Sequence, residues 1–245
     1  MPLNDLQKRL ADDANSDDFP DLKALFINTT LKPSGRAASH TEDLMRGFNR
    51  PHGALWRCGP TIFAPPISTL PSASSPDMRE EGAAADDWPE KIWPKVNQAD
   101  ILVIGTPIWL GEESSICRVI IERLYAHSGQ RNAKVPVYLL WQRLAGTIIT
   151  GNEDGIKHVA KTVLYSLQHI GYTDPASGRL RLDRRSRPRS LPMAMKPKTA
   201  NRAGYDSAFT RRNLTFMTFN LMHMARMLRD AGGLPDHGNQ TTDWA

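Results

Sequence analysis

Cysteine is scarce in this chain: two in 245 residues, Cys58 and Cys117, with neither a CxxC pair nor metal-ligand spacing. That excludes a disulfide-stapled secreted scaffold and an iron–sulfur cluster held by cysteines of one chain. No apolar run approaches the ~18 residues of a membrane span. The mixed-charge opening Met1-Pro-Leu-Asn-Asp-Leu does not read as a signal peptide. The expectation is a cytoplasmic protein with no membrane partner. A Walker A loop, a GxGxxG fingerprint and internal repeats are also missing. One stretch is strongly basic. Between Ala176 and Arg202 nine Lys/Arg stand against one acid, Asp183, so a formal charge of +5 leaves the rest of the chain at −3. No aromatic residue interleaves that run, which argues against a nucleic-acid surface.

What is present is an alternation of strands and helices. Leu22–Asn28, Asp100–Gly105 and Leu144–Thr150 are apolar runs bounded by turn residues, the signature of strands buried on both faces. Helices are expected over Leu3–Ala14, from Ser39 with Glu42 completing a capping box, over Trp88–Gln98 with a bend at Pro94, and from Ser114 to about His127. The cleanest amphipathic pattern runs from Ile156 to Ile170 and stops at Gly171. A Met-rich helix over Phe209–Asp230 ends at Gly232-Gly233, and its broad apolar surface suits a thick core face or a homodimer contact. The pattern predicts an α/β fold, a three-layer sandwich around a parallel sheet. It spans 21–230, with a lead-in over 1–20 and a tail over 231–245.

Three strand-end loops carry the chemistry, because ligands bind at the carboxyl edge of an open α/β sheet. Asn28 to Thr41 holds five hydroxyls, Lys32 and Arg36 before a helix N-terminus, the contents of a monophosphate cradle. Thr106-Pro-Ile-Trp-Leu-Gly111 offers amides, a hydroxyl and a flat indole, suited to a flat hydrogen-bonding ring. Thr150-Gly-Asn-Glu-Asp-Gly155 adds amides and carboxylates, although Asn152 or Asp154 would also serve as a helix N-cap.

The Ser39-His40-Thr41 loop, the Thr-Pro-Ile-Trp-Leu-Gly turn and the Thr-Gly-Asn-Glu-Asp-Gly run together resemble the flavodoxin-like NAD(P)H-dependent FMN reductases. The resemblance covers about 23–46, 88–171 and 213–228. It implies a strand order of 2-1-3-4-5. It implies that Thr30, Lys32, Ser39, His40 and Thr41 hold the FMN phosphate. Thr106, Pro107, Ile108, Trp109, Leu110 and Gly111 would seat the ring, and Thr150, Gly151, Asn152 and Asp154 would meet its polar edge. Hydride would pass from NAD(P)H to the flavin, and on to a small-molecule electron acceptor: a quinone, another flavin, or a nitro or azo compound. No catalytic side chain and no metal are implied. The alternatives are a flavodoxin-type electron carrier and a non-catalytic family member.

Two stretches, 51–87 and 174–206, do not read as parts of this fold. They are expected to pack poorly, either as solvated insertions or as sequence displaced by a shifted reading frame.

Overall fold

The computed structural model describes residues 4–13, 19, 22–31, 39–49, 61–63, 69–72, 75–131, 138–151, 154–176, 178–182, 208–235 and 237–239. Five parallel strands form the sheet: β1 (Ala24–Asn28), β2 (Thr61–Phe63), β3 (Ile101–Trp109), β5 (Leu144–Thr150) and β6 (Arg179–Leu182). Their spatial order is β2-β1-β3-β5-β6, and a two-residue strand, β4 (Glu112–Glu113), folds back antiparallel on the end of β3. Leaving that hairpin aside, this is the doubly wound order 2-1-3-4-5. Strand residues alternate strictly between two cores. Leu25, Ile27, Leu102, Ile104, Ala145 and Ile149 face α3 (Trp93–Gln98), α4 (Ser115–Tyr125) and α5 (Ile156–His169). Phe26, Ile101, Val103, Leu144 and Ile148 face α2 (His40–Asn49) and α6 (Ala208–Asp230). Both faces are covered, which is why these strands are apolar throughout. A further helix, α1 (Asp5–Asp13), precedes the sheet.

Several expectations need correction. Ser39 caps α2, its Oγ accepting the Glu42 amide at 3.2 Å, but the Glu42 carboxylate pairs forward with Arg46 at 2.6 Å. An i,i+4 ion pair thus takes the group that a capping box would use. The run read as ending at Gly105 continues through Pro107 to Trp109. The helix over Trp88–Gln98 opens as a π-turn, Trp88–Ile92, with the Trp93 amide returning to the Trp88 carbonyl. Pro94 has no N–H for the helical ladder, so the winding changes beside it. Helix α4 stops at Tyr125 rather than His127.

Among residues 75–87 every position but Asp86 is exposed or partly exposed, as expected of a poorly packed stretch; the exception is its one buried anchor. Asp86 is fully desolvated there, accepting the amides of Met78 and Trp88, each at 2.9 Å, and Arg123 Nη2 at 2.5 Å. Leu70 is also buried. Although 51–87 and 174–206 did not read as parts of the fold, each contributes a short strand to the sheet, β2 and β6. The remainder of the basic run, 183–202, lies outside the described residues, as do 51–60.

Trp88 donates its indole N–H to His127 Nε2 at 2.8 Å, and the imidazole stacks on Trp93 with 3.5 Å between centroids. Burial holds the His127 pKa below its ordinary value of 6.5. The folded state therefore keeps this ring neutral, while the unfolded chain takes up a proton below about pH 6.5. Stability is expected to be complete above that pH and to fall as pH drops towards the folded-state value. Urea titrations from pH 7.5 to 5 check this: His127→Gln should be less stable at pH 7 but show a flatter profile.

On α6, Leu214, Met217, Leu221, Met222 and Ala225 enter the core, while Phe216 and Met227 stay exposed. No helix among the described residues is long and apolar enough to cross a membrane.

Candidate functional site

The carboxyl ends of β1, β3 and β5 share one edge of the sheet, and the N-termini of α2, α4 and α5 open onto it. Buried hydroxyls knit these ends together. Thr29 Oγ1 donates to the Gly105 carbonyl at 2.8 Å, and Ser114 Oγ donates to the Thr29 carbonyl at 2.6 Å. Ser114 also caps α4, accepting the Cys117 amide at 3.2 Å, while its own amide donates to Thr106 Oγ1 at 3.0 Å. Thr41 and Thr150 share a hydrogen bond of 2.8 Å between their hydroxyls.

This network assigns jobs that the sequence could not. Thr106, Thr41, Thr150 and Ser39 are all buried, with their hydroxyls committed to one another or to caps. A buried hydroxyl must find a partner, and here the partners are internal. These four residues hold the loops in register. The residues left facing outward are Thr30, His40, Pro107, Trp109, Leu110, Gly111, Gly151 and Asp154. Ile108 is buried beneath the hairpin. Lys32 and Asn152 lie outside the described residues.

The β3–β4 hairpin is the most prominent feature of this edge. Trp109 pairs with Glu112, leaving Leu110 and Gly111 as a two-residue turn with φ values of 52° and 86°. Positive φ at both central positions gives the primed turn that suits a tight hairpin. Leucine is a strained choice there, costing roughly 1–2 kcal/mol, and its side chain is 93% exposed, beside a Trp109 that is 51% exposed. Leu110→Asn relieves the strain and is expected to stabilise the protein by about 1 kcal/mol, seen as a raised urea midpoint.

The hairpin is also anchored. Glu112 reaches His158 on α5 at 2.8 Å, and Gly155, which caps α5 with φ 114°, packs directly on the Gly111 backbone. Glu113 points to the opposite face, is buried, and pairs with Arg118. Cys117 lies under the same corner. Burial, assisted by the Glu113 charge, pushes its thiol up to about 12, so it is an inert core group. Among the described residues no cluster of three or more His, Cys, Asp or Glu could hold a metal.

Sequence reasoning missed Thr29, Glu113, Ser114 and Gly155 as site-building residues. Ser114 was detectable as an N-cap and Gly155 as a glycine before a helix; nothing in the pattern distinguished Glu113 from Glu112.

No protein-family model matches the chain. It is 34% identical over 222 residues to 8-demethyl-8-aminoriboflavin-5'-phosphate synthase of Streptomyces davaonensis, covering 85% of this chain and 79% of that protein. It is 43% identical over 221 residues to the divalent metal cation transporter MntH of Mycobacterium bovis, covering 86% of this chain. The chain spans only 30% of that relative's length. Among solved structures, RosB with the bound intermediate 8-demethyl-8-formylriboflavin-5'-phosphate superposes at a TM-score of 0.68 and 29% identity, covering 89% of this chain and 84% of that one. The flavoenzyme NAD(P)H:(acceptor) oxidoreductase FerB of Paracoccus denitrificans shares the fold at a TM-score of 0.50 and 12% identity, covering 87% and 100%. Sheet order, the convergent strand ends and this likeness over most of both chains agree: the chain has a flavodoxin-like fold and belongs to the same family as the 8-demethyl-8-aminoriboflavin-5'-phosphate synthase.

Proposed function

We propose that this chain is an FMN-dependent oxidoreductase that carries reducing equivalents from NAD(P)H to a small-molecule acceptor. The observation that supports it most is the Thr41–Thr150 hydrogen bond, which ties the first and third loops together across the end of β3. The hairpin then stands between them. The chemistry of the residues fits FMN. The opening turn of α2, with Thr30, His40 and the amides beside Ser39 and Thr41, suits a dianionic monophosphate, and the sequence adds the positive charge of Lys32. Pro107, Trp109, Leu110 and Gly111 offer a flat apolar seat for the ring, and Thr106 and Ile108 support it from below. Gly151 and Asp154 follow the end of β5 at Thr150, where a polar ring edge would be met, and the sequence adds Asn152 between them.

Bound flavin supplies the two-electron chemistry. The protein's part is positional: the hydroxyl network fixes the loops, the α2 terminus neutralises phosphate charge, and Trp109 shields one side of the ring from water. The test is direct. Added FMN should give a yellow protein whose NADPH oxidation depends on a quinone. A yellow protein without NADPH turnover would be an electron carrier, and a colourless one would overturn the reading.

A second reading is favoured by the likeness to the synthase and to RosB, whose names describe modified flavin phosphates. In it the flavin is the substrate rather than a resident cofactor. Mass analysis of flavin recovered after turnover separates the two: unchanged FMN supports the oxidoreductase, and an altered ring supports flavin modification.

A further inference from the structure

Helices α4 and α5 lie side by side on one face of the sheet, and they run in the same direction because each returns from a parallel strand. Towards their C-terminal ends three aromatic side chains share the outer surface. His169 is stacked with both Tyr125 and Tyr165, at 6.3 Å and 6.1 Å between ring centroids. Tyr125 is 59% exposed and Tyr165 64%, and His169 is exposed with them. Single exposed aromatic residues are ordinary, but three in contact across two helices form a patch, and tyrosine is enriched where one protein surface meets another.

Charge says what the patch fits. About one helical turn before the tyrosines stand Glu122 on α4 and Lys161 on α5. Neither has an ion pair with another described residue. The charges nearer the start of the two helices are matched within the chain, Arg118 by Glu113 and His158 by Glu112. The unmatched charge is therefore acidic on one helix and basic on its neighbour. A two-fold rotation about an axis along the groove between them lays α4 of one copy on α5 of the other, in the same direction. Glu122 then stands opposite the partner's Lys161, and Tyr125 opposite the partner's Tyr165. The face is complementary to itself, as a two-fold interface requires.

We propose that two copies of this chain pair through the α4–α5 face, with Glu122 set against the partner's Lys161 and the Tyr125, Tyr165 and His169 rings closed between them. The patch is at the C-terminal ends of these helices, and their N-termini open onto the carboxyl edge of the sheet, so each copy keeps its own candidate site. The inference stands apart from the FMN reading.

Sedimentation equilibrium of the full chain, over concentrations up to roughly 100 μM, tests it. The wild type should sediment as a dimer. Glu122→Lys and Lys161→Glu each place like charges opposite one another twice, and each should weaken the dimer by about ten-fold or more. An equal mixture of E122K and K161E restores two opposite-charge contacts and should recover a dimer holding one chain of each kind; the double variant E122K/K161E should recover it alone. Tyr165→Ser should weaken the dimer as well, and it carries the test if a charge variant folds poorly. A wild-type monomer throughout, a dimer that these variants leave unchanged, or charge variants that fail to re-pair on mixing would each overturn the proposal. So would a dimer lost on Phe216→Ser instead, since Phe216 is exposed on α6.

Discussion

Asp86→Ala should be the most destabilising single truncation outside the apolar core, lowering the unfolding free energy by roughly 3–5 kcal/mol in urea titrations. The reason lies in what the carboxylate leaves behind. Asp86 and Arg123 are both 0% exposed in their side chains, and the guanidinium sits 5.5 Å from the Trp88 ring. Among the described residues, Arg123 Nε and Nη1 already lack partners. Removing Asp86 strands a full positive charge in that environment and also frees the amides of Met78 and Trp88. Among the described residues Arg123 has one other hydrogen-bond acceptor, the Pro76 carbonyl at 2.9 Å, and that carries no charge. The double variant Asp86→Leu, Arg123→Met separates charge from packing. It should recover much of the loss, since replacing both partners of a buried pair by apolar groups is often neutral. Ligand affinity of the folded fraction should be unchanged, because this pair tethers 75–88 to the far end of α4 from Ser114.

That tether could not be foreseen from the sequence. The stretch before Trp88 is rich in Pro, Ser and Asp, which reads as solvated loop. The structure anchors it through one buried acid, and a single long-range ion pair leaves no periodic trace. By contrast β5 was legible to the residue, because a strand covered on both faces is apolar without interruption. Strand β3 was only half legible. Gly105-Thr106-Pro107 has the composition of a turn, yet the chain stays extended through it. Gly105 bonds towards β1, so by alternation Pro107 faces the same side, where β1 has already ended and no strand needs its missing N–H. At the site, the apolar hairpin tip was readable from Trp109 and Leu110. The roles of Ser39, Thr41, Thr106 and Thr150 were not, since a hydroxyl's type is visible in sequence but its partner is set by the fold.

Gly155→Ala is the substitution expected to damage the candidate ring seat most. Two penalties act together. The φ of 114° is outside what an alanine adopts readily, and a Cβ at this position would stand 2.5 Å from the Gly111 carbonyl oxygen and 2.7 Å from its Cα. Those are backbone atoms, so no rotamer change can make room. The hairpin must swing away from α5, stretching the Glu112–His158 bridge and shifting Trp109 and Leu110 with it. The strain and the lost contacts amount to roughly 2–4 kcal/mol. Because the hairpin is displaced as a unit, affinity for FMN and for lumiflavin should fall in parallel, by about ten-fold or more. Lys157→Ala, an exposed change two residues along the same helix, serves as the control and should alter neither quantity. A G155A protein that loses stability but binds both flavins as before would show that the hairpin braces the sheet without forming the seat of the ring.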